Sequence, residues 1–200
     1  MSFTAGGFLL VESIKVAKLY METGDWDKIQ KTIFDDNILQ YEAKRTTKRI
    51  FHEIKIRLQK LNKDLLRILL ESTPQEQKII IWIAICKTYD FIGEFAKEII
   101  REKYLLMNNQ LTQEDYIGFF NSKADWHEEL DNQSDKTIQK QRQVVFRMLK
   151  EAEIISPDNL ILPVIPTLNI FKALYKDDPS NLTYLPISDI DIQRLLANAK

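Results

Sequence analysis

The segment from Thr73 to Met107 narrows most sharply what this chain can become. Thr73 stands as an N-cap, Pro74 at the first helical position and Glu76 three residues after the cap, the pattern of a capping box that opens a helix. Beyond it Ile79, Ile80, Trp82, Ile83, Tyr89, Phe91, Ile92, Phe95, Ile99, Ile100 and Tyr104 put apolar side chains on nearly every side. A helix without a polar face needs other elements around it. The spacing therefore predicts a central apolar brace, two helices breaking near Thr88 to Gly93. The uninterrupted run from Ile79 to Cys86 is bounded by Lys78 and Lys87, far short of the roughly 20 residues a membrane span requires. The aromatic residues read as core, with a ligand pocket as the alternative.

Helical punctuation organises the N-terminal side as well. Phe8 to Met21 reads as a helix stopped at Thr23-Gly24-Asp25, where Gly24 suits a helix end and Asp25 can cap the next one. A short helix, Trp26 to Asp36, and a turn, Asn37 to Tyr41, lead into Glu42 to Leu61. In that last stretch Ile50, Phe51, Ile54, Leu58 and Leu61 form one apolar stripe, and Lys44, Arg45, Lys48, Lys55 and Lys63 fall opposite. From Lys44 to Lys63 eight Lys or Arg stand against the single acid Glu53, a balance of +7 in a chain of net charge -1. A long helix, a short helix, a turn and a basic helix have the layout of a helix-turn-helix DNA-binding module. No wing follows, because Leu65, Leu66, Leu69 and Leu70 continue the helical pattern.

The layout returns downstream without sequence identity. Thr112 caps a helix that runs to about Lys123 with Tyr116, Phe119 and Phe120 inward, and a polar stretch from Ala124 to Gln133 follows. A second basic helix, Ser134 to Glu153, has Ser134 or Asp135 as cap and an apolar stripe of Ile138, Val145, Leu149 and Ala152. Lys136, Lys140, Gln143, Arg147 and Lys150 line its other face, and Lys136 to Lys150 holds five basic residues and no acid. Ile154-Ile155, a Ser156-Pro157-Asp158-Asn159 turn and Leu160 to Leu162 then read as a short β-hairpin, the wing of a winged helix. The tail, punctuated by Pro163, Pro166, Pro179 and Pro186, carries helices near Thr167 to Tyr175 and Ser188 to Ala199 and reads as packing or partner surface.

The expected fold is thus mainly α, two helix-turn-helix-like modules (1–72, and a winged one at 109–200) joined by apolar helices at 73–108. At 44% hydrophobic and 28% charged, with five glycines and six prolines, the chain should fold throughout. Enzymatic signatures are missing: there is no glycine-rich phosphate loop, HExxH, zinc-type cysteine pair or nucleophile elbow. Cys86 reads as a buried hydrophobe and His52 as a surface residue beside Glu53. His127, within Asp125-Trp126-His127-Glu128-Glu129, reads as part of a solvated loop before it reads as a metal ligand. No cofactor, metal or catalytic residue is expected. A start without a basic, apolar leader and a lone cysteine point to the cytoplasm.

A near-neutral chain meets a polyanion through local patches. Lys44, Arg45, Lys48, Arg49, Lys55, Lys136, Lys140 and Arg147 are the expected phosphate contacts. Thr46, Thr47, Thr137, Gln141 and Gln143 are placed for backbone or base-edge contacts. So phosphate-rich a set implies weak sequence preference and a steep salt dependence. The plain alternative is that both basic faces are only solvated surface.

Three groups of residues also carry a family resemblance. They are Gly7-Phe8-Leu9-Leu10 with Glu12-Ser13, Tyr89-Asp90-Phe91 with Glu94 and Arg101-Glu102-Lys103, and Leu111-Thr112 with Asp115 and Phe119. Together, from Gly7 to about Leu162, they resemble the BrxA family of the bacteriophage exclusion (BREX) defence systems. The resemblance implies an all-helical cytoplasmic protein, similar in part to the NusB antitermination fold and bearing helix-turn-helix units. It further implies a non-enzymatic role alongside a methyltransferase and other defence-system proteins. The family has also been labelled an inner-membrane protein, which the short apolar runs here speak against. Double-stranded DNA is the expected partner. The rival readings are a scaffold docking acidic protein surfaces and an RNA-binding, NusB-like protein.

Overall fold

A computed structural model describes residues 7–125, 130 and 133–199. Among them are eleven α-helices: α1 (Leu10–Thr23), α2 (Trp26–Asp35), α3 (Lys44–Leu58), α4 (Lys63–Glu71), α5 (Pro74–Thr88), α6 (Asp90–Phe95), α7 (Glu102–Leu105), α8 (Gln113–Ala124), α9 (Asp135–Glu151), α10 (Leu168–Asp177) and α11 (Asp189–Ala199). A π-helical turn, Ala96–Arg101, joins α6 to α7, and a 3-10 segment, Pro179–Tyr184, follows α10.

Local chemistry sets the helix ends. Gly24 stops α1 in the left-handed conformation (φ 64°), its N–H donating to the Tyr20 carbonyl, and the Asp25 carboxylate accepts from the N–H groups of Asp27 and Lys28. The Thr73–Glu76 capping box closes at both hydrogen bonds, 2.9 and 3.4 Å. Thr112 and Asp115 form a second box at the start of α8. Tyr89, in an extended conformation, separates α5 from α6, within the expected break.

In the core, α5 buries every residue from Ile79 to Cys86, and α1, α3, α4 and α6 pack against it. Burial pushes the Cys86 thiol well above its ordinary range. Phe91 and Phe95 meet Tyr116, Phe119 and Phe120 of α8 edge-on or tilted, with ring centroids 5.0–6.0 Å apart; these aromatics fill core.

The tail folds back on the N-terminal half. Here α10 packs on α4, and the 3-10 segment on α5 and the π turn. The fully buried Trp82 donates its indole N–H to the Tyr184 carbonyl at 2.9 Å. Asp177 receives Lys87 (2.6 Å), Asn62 (2.8 Å) and Asn181 (2.9 Å). Burial raises the Asp177 carboxyl, but these donors outweigh it and hold the group below the usual carboxylate range.

Two expectations change. The hairpin over Ile154 to Leu162 forms no strands among the described residues: it is reduced to an Ile155–Ile161 bridge, closed by a turn in which the Asn159 N–H donates to the Ser156 carbonyl. Across the turn the Ser156 N–H donates to the Leu160 carbonyl and the Leu162 N–H to the Ile154 carbonyl, while Asn109 to Leu111 runs along the other edge, through a Gln110–Leu160 bridge and hydrogen bonds from Ile161 to Asn109 and from Leu111 to Asn159. Ile154, Ile155 and Ile161 are buried, so the flanks are packed into the core, while Pro157, Asp158 and Leu160 at the turn are exposed. The link from α2 to α3 runs from Asp36 to Ala43, longer than the three- or four-residue turn of a helix-turn-helix. The corresponding link before α9 lies partly outside the described residues, as does His127.

Candidate nucleic-acid interface

Helix α3 divides into two halves at about 100° per residue. Its buried half carries Thr47, Ile50, Phe51, Glu53, Ile54, Arg57 and Leu58. Opposite them Lys44, Arg45, Lys48, Arg49 and His52 are exposed, with Lys60 just beyond the helix. Among the described residues no carboxylate lies within ion-pair distance of Lys44, Arg45, Lys48 or Arg49.

The acid and base that sequence counting assigned to this surface are a buried pair. Arg57, 1% exposed, donates to the Gly7 carbonyl (2.9 Å), the Phe8 carbonyl (3.4 Å) and the Glu53 carboxylate (3.5 Å). The Tyr89 hydroxyl closes the group by donating to Glu53, and the guanidinium sits 5.5 Å from the Tyr89 ring centre. Burial pushes the Tyr89 phenol up to about 12. Removing Arg57 and Glu53 together leaves the outer face with cations and no acid.

The start of α3 is unusual. Its N-cap, Ala43, offers no side-chain hydrogen bond, and no acid stands in the first turn. Free N–H groups and a positive dipole end therefore coincide with Lys44, Arg45 and Lys48, each of which that field disfavours.

Thr47 leaves the expected contact set. It is 3% exposed and its hydroxyl donates to the Ala43 carbonyl, because it lies about 60° from Ile50 on the helical wheel, within the apolar arc. Thr46 is half-buried. Half-buried too, Lys55 has its ammonium 5.7 Å from the Trp26 ring centre, against which Tyr20 stacks at 4.4 Å.

In α9, Ser134 caps the helix by accepting from the Thr137 N–H, and the Thr137 hydroxyl contacts the Ser134 hydroxyl at 2.9 Å. Lys136, Lys140, Gln143, Arg147 and Lys150 lie on its outer side, all exposed. Arg147 reaches Glu151 at 3.8 Å, and Lys150 donates to the Pro157 carbonyl at 2.9 Å. Gln141, 1% exposed, faces the interior and drops out as a contact.

The N-terminal segment links the two helices. A Cβ at Gly7 would lie 3.5 Å from the Arg147 guanidinium, while the Gly7 carbonyl accepts from Arg57. From this crossing Arg49 and Lys44 lie about 12 and about 20 Å back along α3, at about 1.5 Å per residue. Arg142, Gln113 and Asn159, which line a cleft of about 350 Å³ with Gln143, Arg147 and Lys150, were not visible as a group in the sequence. The signal available was Arg142 at the margin of the α9 apolar stripe.

A model of the BrxA family matches residues 1–178. The chain belongs to the BrxA family. That match takes in both basic helices and α10, beyond the Leu162 to which the sequence motifs reached, and stops before α11. The chain is similar to a BREX protein BrxA from Bacillus cereus (strain H3081.97), with 28% identity over 144 residues and 72% of each chain covered. It is also similar to a BREX protein BrxA from Escherichia coli O9:H4 (strain HS), at 26% over 147 residues, 74% of this chain and 69% of that one. An uncharacterized protein from Magnetospirillum magneticum, known from its crystal structure, has the same fold: TM-score 0.76 at 19% identity, over 92% of this chain and 94% of that one. No described helix of this BrxA-family chain is long and apolar enough to cross a membrane.

Proposed function

We propose that this BrxA-family chain is a non-enzymatic, DNA-binding accessory component of a BREX phage-defence system. It grips the duplex backbone through the outer faces of α3 and α9 with little sequence preference. The observation that carries this reading is the α3 entrance, where four cations without acid partners crowd an uncapped helix N-terminus. That arrangement opposes the helix dipole, and a polyanion laid across it supplies the missing negative charge and accepts the free N–H groups.

Duplex is favoured over single strands by the aromatic inventory. Among the described residues Tyr175 is the one exposed aromatic (39%), and it stacks on Phe171 within α10, whereas single-strand binding relies on exposed stacking platforms. Competition of unlabelled duplex, single-stranded DNA and structured RNA against a labelled random duplex tests this. Duplex of any sequence should compete best; preferential competition by RNA or single strands overturns the assignment. A scaffold that docks acidic protein surfaces instead predicts that replacement of Lys44, Arg45, Lys48 and Arg49 by Ala weakens association with other defence-system proteins while no duplex binds the unaltered protein.

A further inference from the structure

The cleft of about 350 Å³ between the start of α8, the outer face of α9 and the Ser156–Asn159 turn adds to the α9 face a cation, Arg142, that the two helix faces do not use. Arg142, Arg147 and Lys150 enter it from α9, and Gln113, Gln143 and Asn159 complete the polar lining, with no carboxylate among the described residues. Arg142 is half-buried and has neither an ion pair nor a hydrogen bond among the described residues. A partly desolvated cation without a counter-ion is costly to keep, and guanidinium is the side chain best matched to the paired oxygens of a phosphate. The buried Tyr116, whose hydroxyl has no hydrogen-bond partner among the described residues, is near enough to feel the Arg142 charge. Lys150 is held in place by the Pro157 carbonyl through one hydrogen bond, which leaves the other two donors of its ammonium free.

We infer that this cleft is a phosphate seat in which Arg142, flanked by Arg147 and Lys150, binds one phosphodiester of the duplex backbone and so fixes where α9 sits along it. The inference rests on the DNA-binding reading for the source of the phosphate, but not for the seat itself.

Duplex affinity is measured over a series of salt concentrations for the unaltered protein, Arg142→Gln and Lys136→Gln, with the thermal midpoint as a folding control. In parallel, inorganic pyrophosphate is titrated by calorimetry. Arg142→Gln should lower the log-log salt slope by about 0.9, as expected when one phosphate is no longer neutralised. It should also weaken pyrophosphate at least tenfold, whereas Lys136→Gln, remote from the cleft, leaves pyrophosphate unchanged. Should Arg142→Gln fail to fold, the exposed Arg147→Gln carries the same comparison. If the unaltered protein binds duplex and the cleft variant keeps its slope, the seat is refuted and the helix-face reading survives. If no duplex binds at all, that reading fails and pyrophosphate decides: weakened binding in Arg142→Gln leaves a seat for a free phosphate compound, and no binding by the unaltered protein overturns the seat.

Discussion

Glu53, Arg57 and Tyr89 show how far a residue's meaning depends on what surrounds it. Along the sequence, Arg57 adds to a basic surface and Glu53 subtracts from it; in three dimensions both are buried and tie α3 to Gly7, Phe8 and Tyr89. Removing one member of such a pair strands the other, so Glu53→Gln should destabilise the fold by about 3–5 kcal/mol. Chemical denaturation checks this, and a change below about 1 kcal/mol would mean that the pair is solvated. Asp177 provides the pH-dependent counterpart. Its folded carboxyl lies below the usual range, so its stabilising contribution is complete at neutral pH and disappears as pH falls through the folded value. The stability gap between the unaltered protein and Asp177→Asn should therefore be widest near pH 7 and close below about pH 4; a gap that stays constant in acid contradicts the ionic role. The wheel that identified the apolar stripe also put Thr47 and Arg57 within it. Their burial was legible from periodicity and was masked by residue type.

At the scale of elements, ends were easier to read than partners. Gly24, Asp25, Thr73, Thr112 and Ser134 act through hydrogen bonds to near neighbours in sequence, and the helices they bound lie close to where the sequence put them. The turn at Ser156 to Asn159 was legible, because it acts between near neighbours; that Asn109 to Leu111, about fifty residues upstream, lies along its other edge was not. The π turn over Ala96–Arg101 had no local signal in the sequence. Helix α3 yields a prediction in which stability and binding part company. Lys44→Glu and Arg45→Glu place acids at an uncapped N-terminus, and each should stabilise by about 0.3–1 kcal/mol while weakening duplex binding. Thermal unfolding and anisotropy on the same samples test it, and variants both less stable and unaltered in binding would contradict the dipole argument.

Across the whole molecule, the apolar brace was the most legible feature, since a helix apolar on every side admits few environments. How the tail returns to it was not, because Trp82–Tyr184 and Lys87–Asp177 join residues 102 and 90 positions apart. Gly93 marks that closure: a Cβ there would lie 2.8 Å from the Cys86 carbonyl oxygen and 2.9 Å from the Tyr184 ring. Gly93→Ala should cost about 1–3 kcal/mol through overpacking, read as a lowered denaturation midpoint; an unchanged midpoint would show that the 3-10 segment gives way freely.

The two charged faces were legible as faces, but that Gly7 lies between Arg57 of α3 and Arg147 of α9 emerged from the fold. The most direct test of their role is the salt dependence of duplex binding, for the unaltered protein and for the fourfold replacement of Lys44, Arg45, Lys48 and Arg49 by Ala. If those side chains lie along the backbone, the log-log slope should fall by up to about 3.6, about 0.9 for each phosphate left without its cation, with the fold intact. An unchanged slope and affinity would contradict the assignment of the α3 face to DNA.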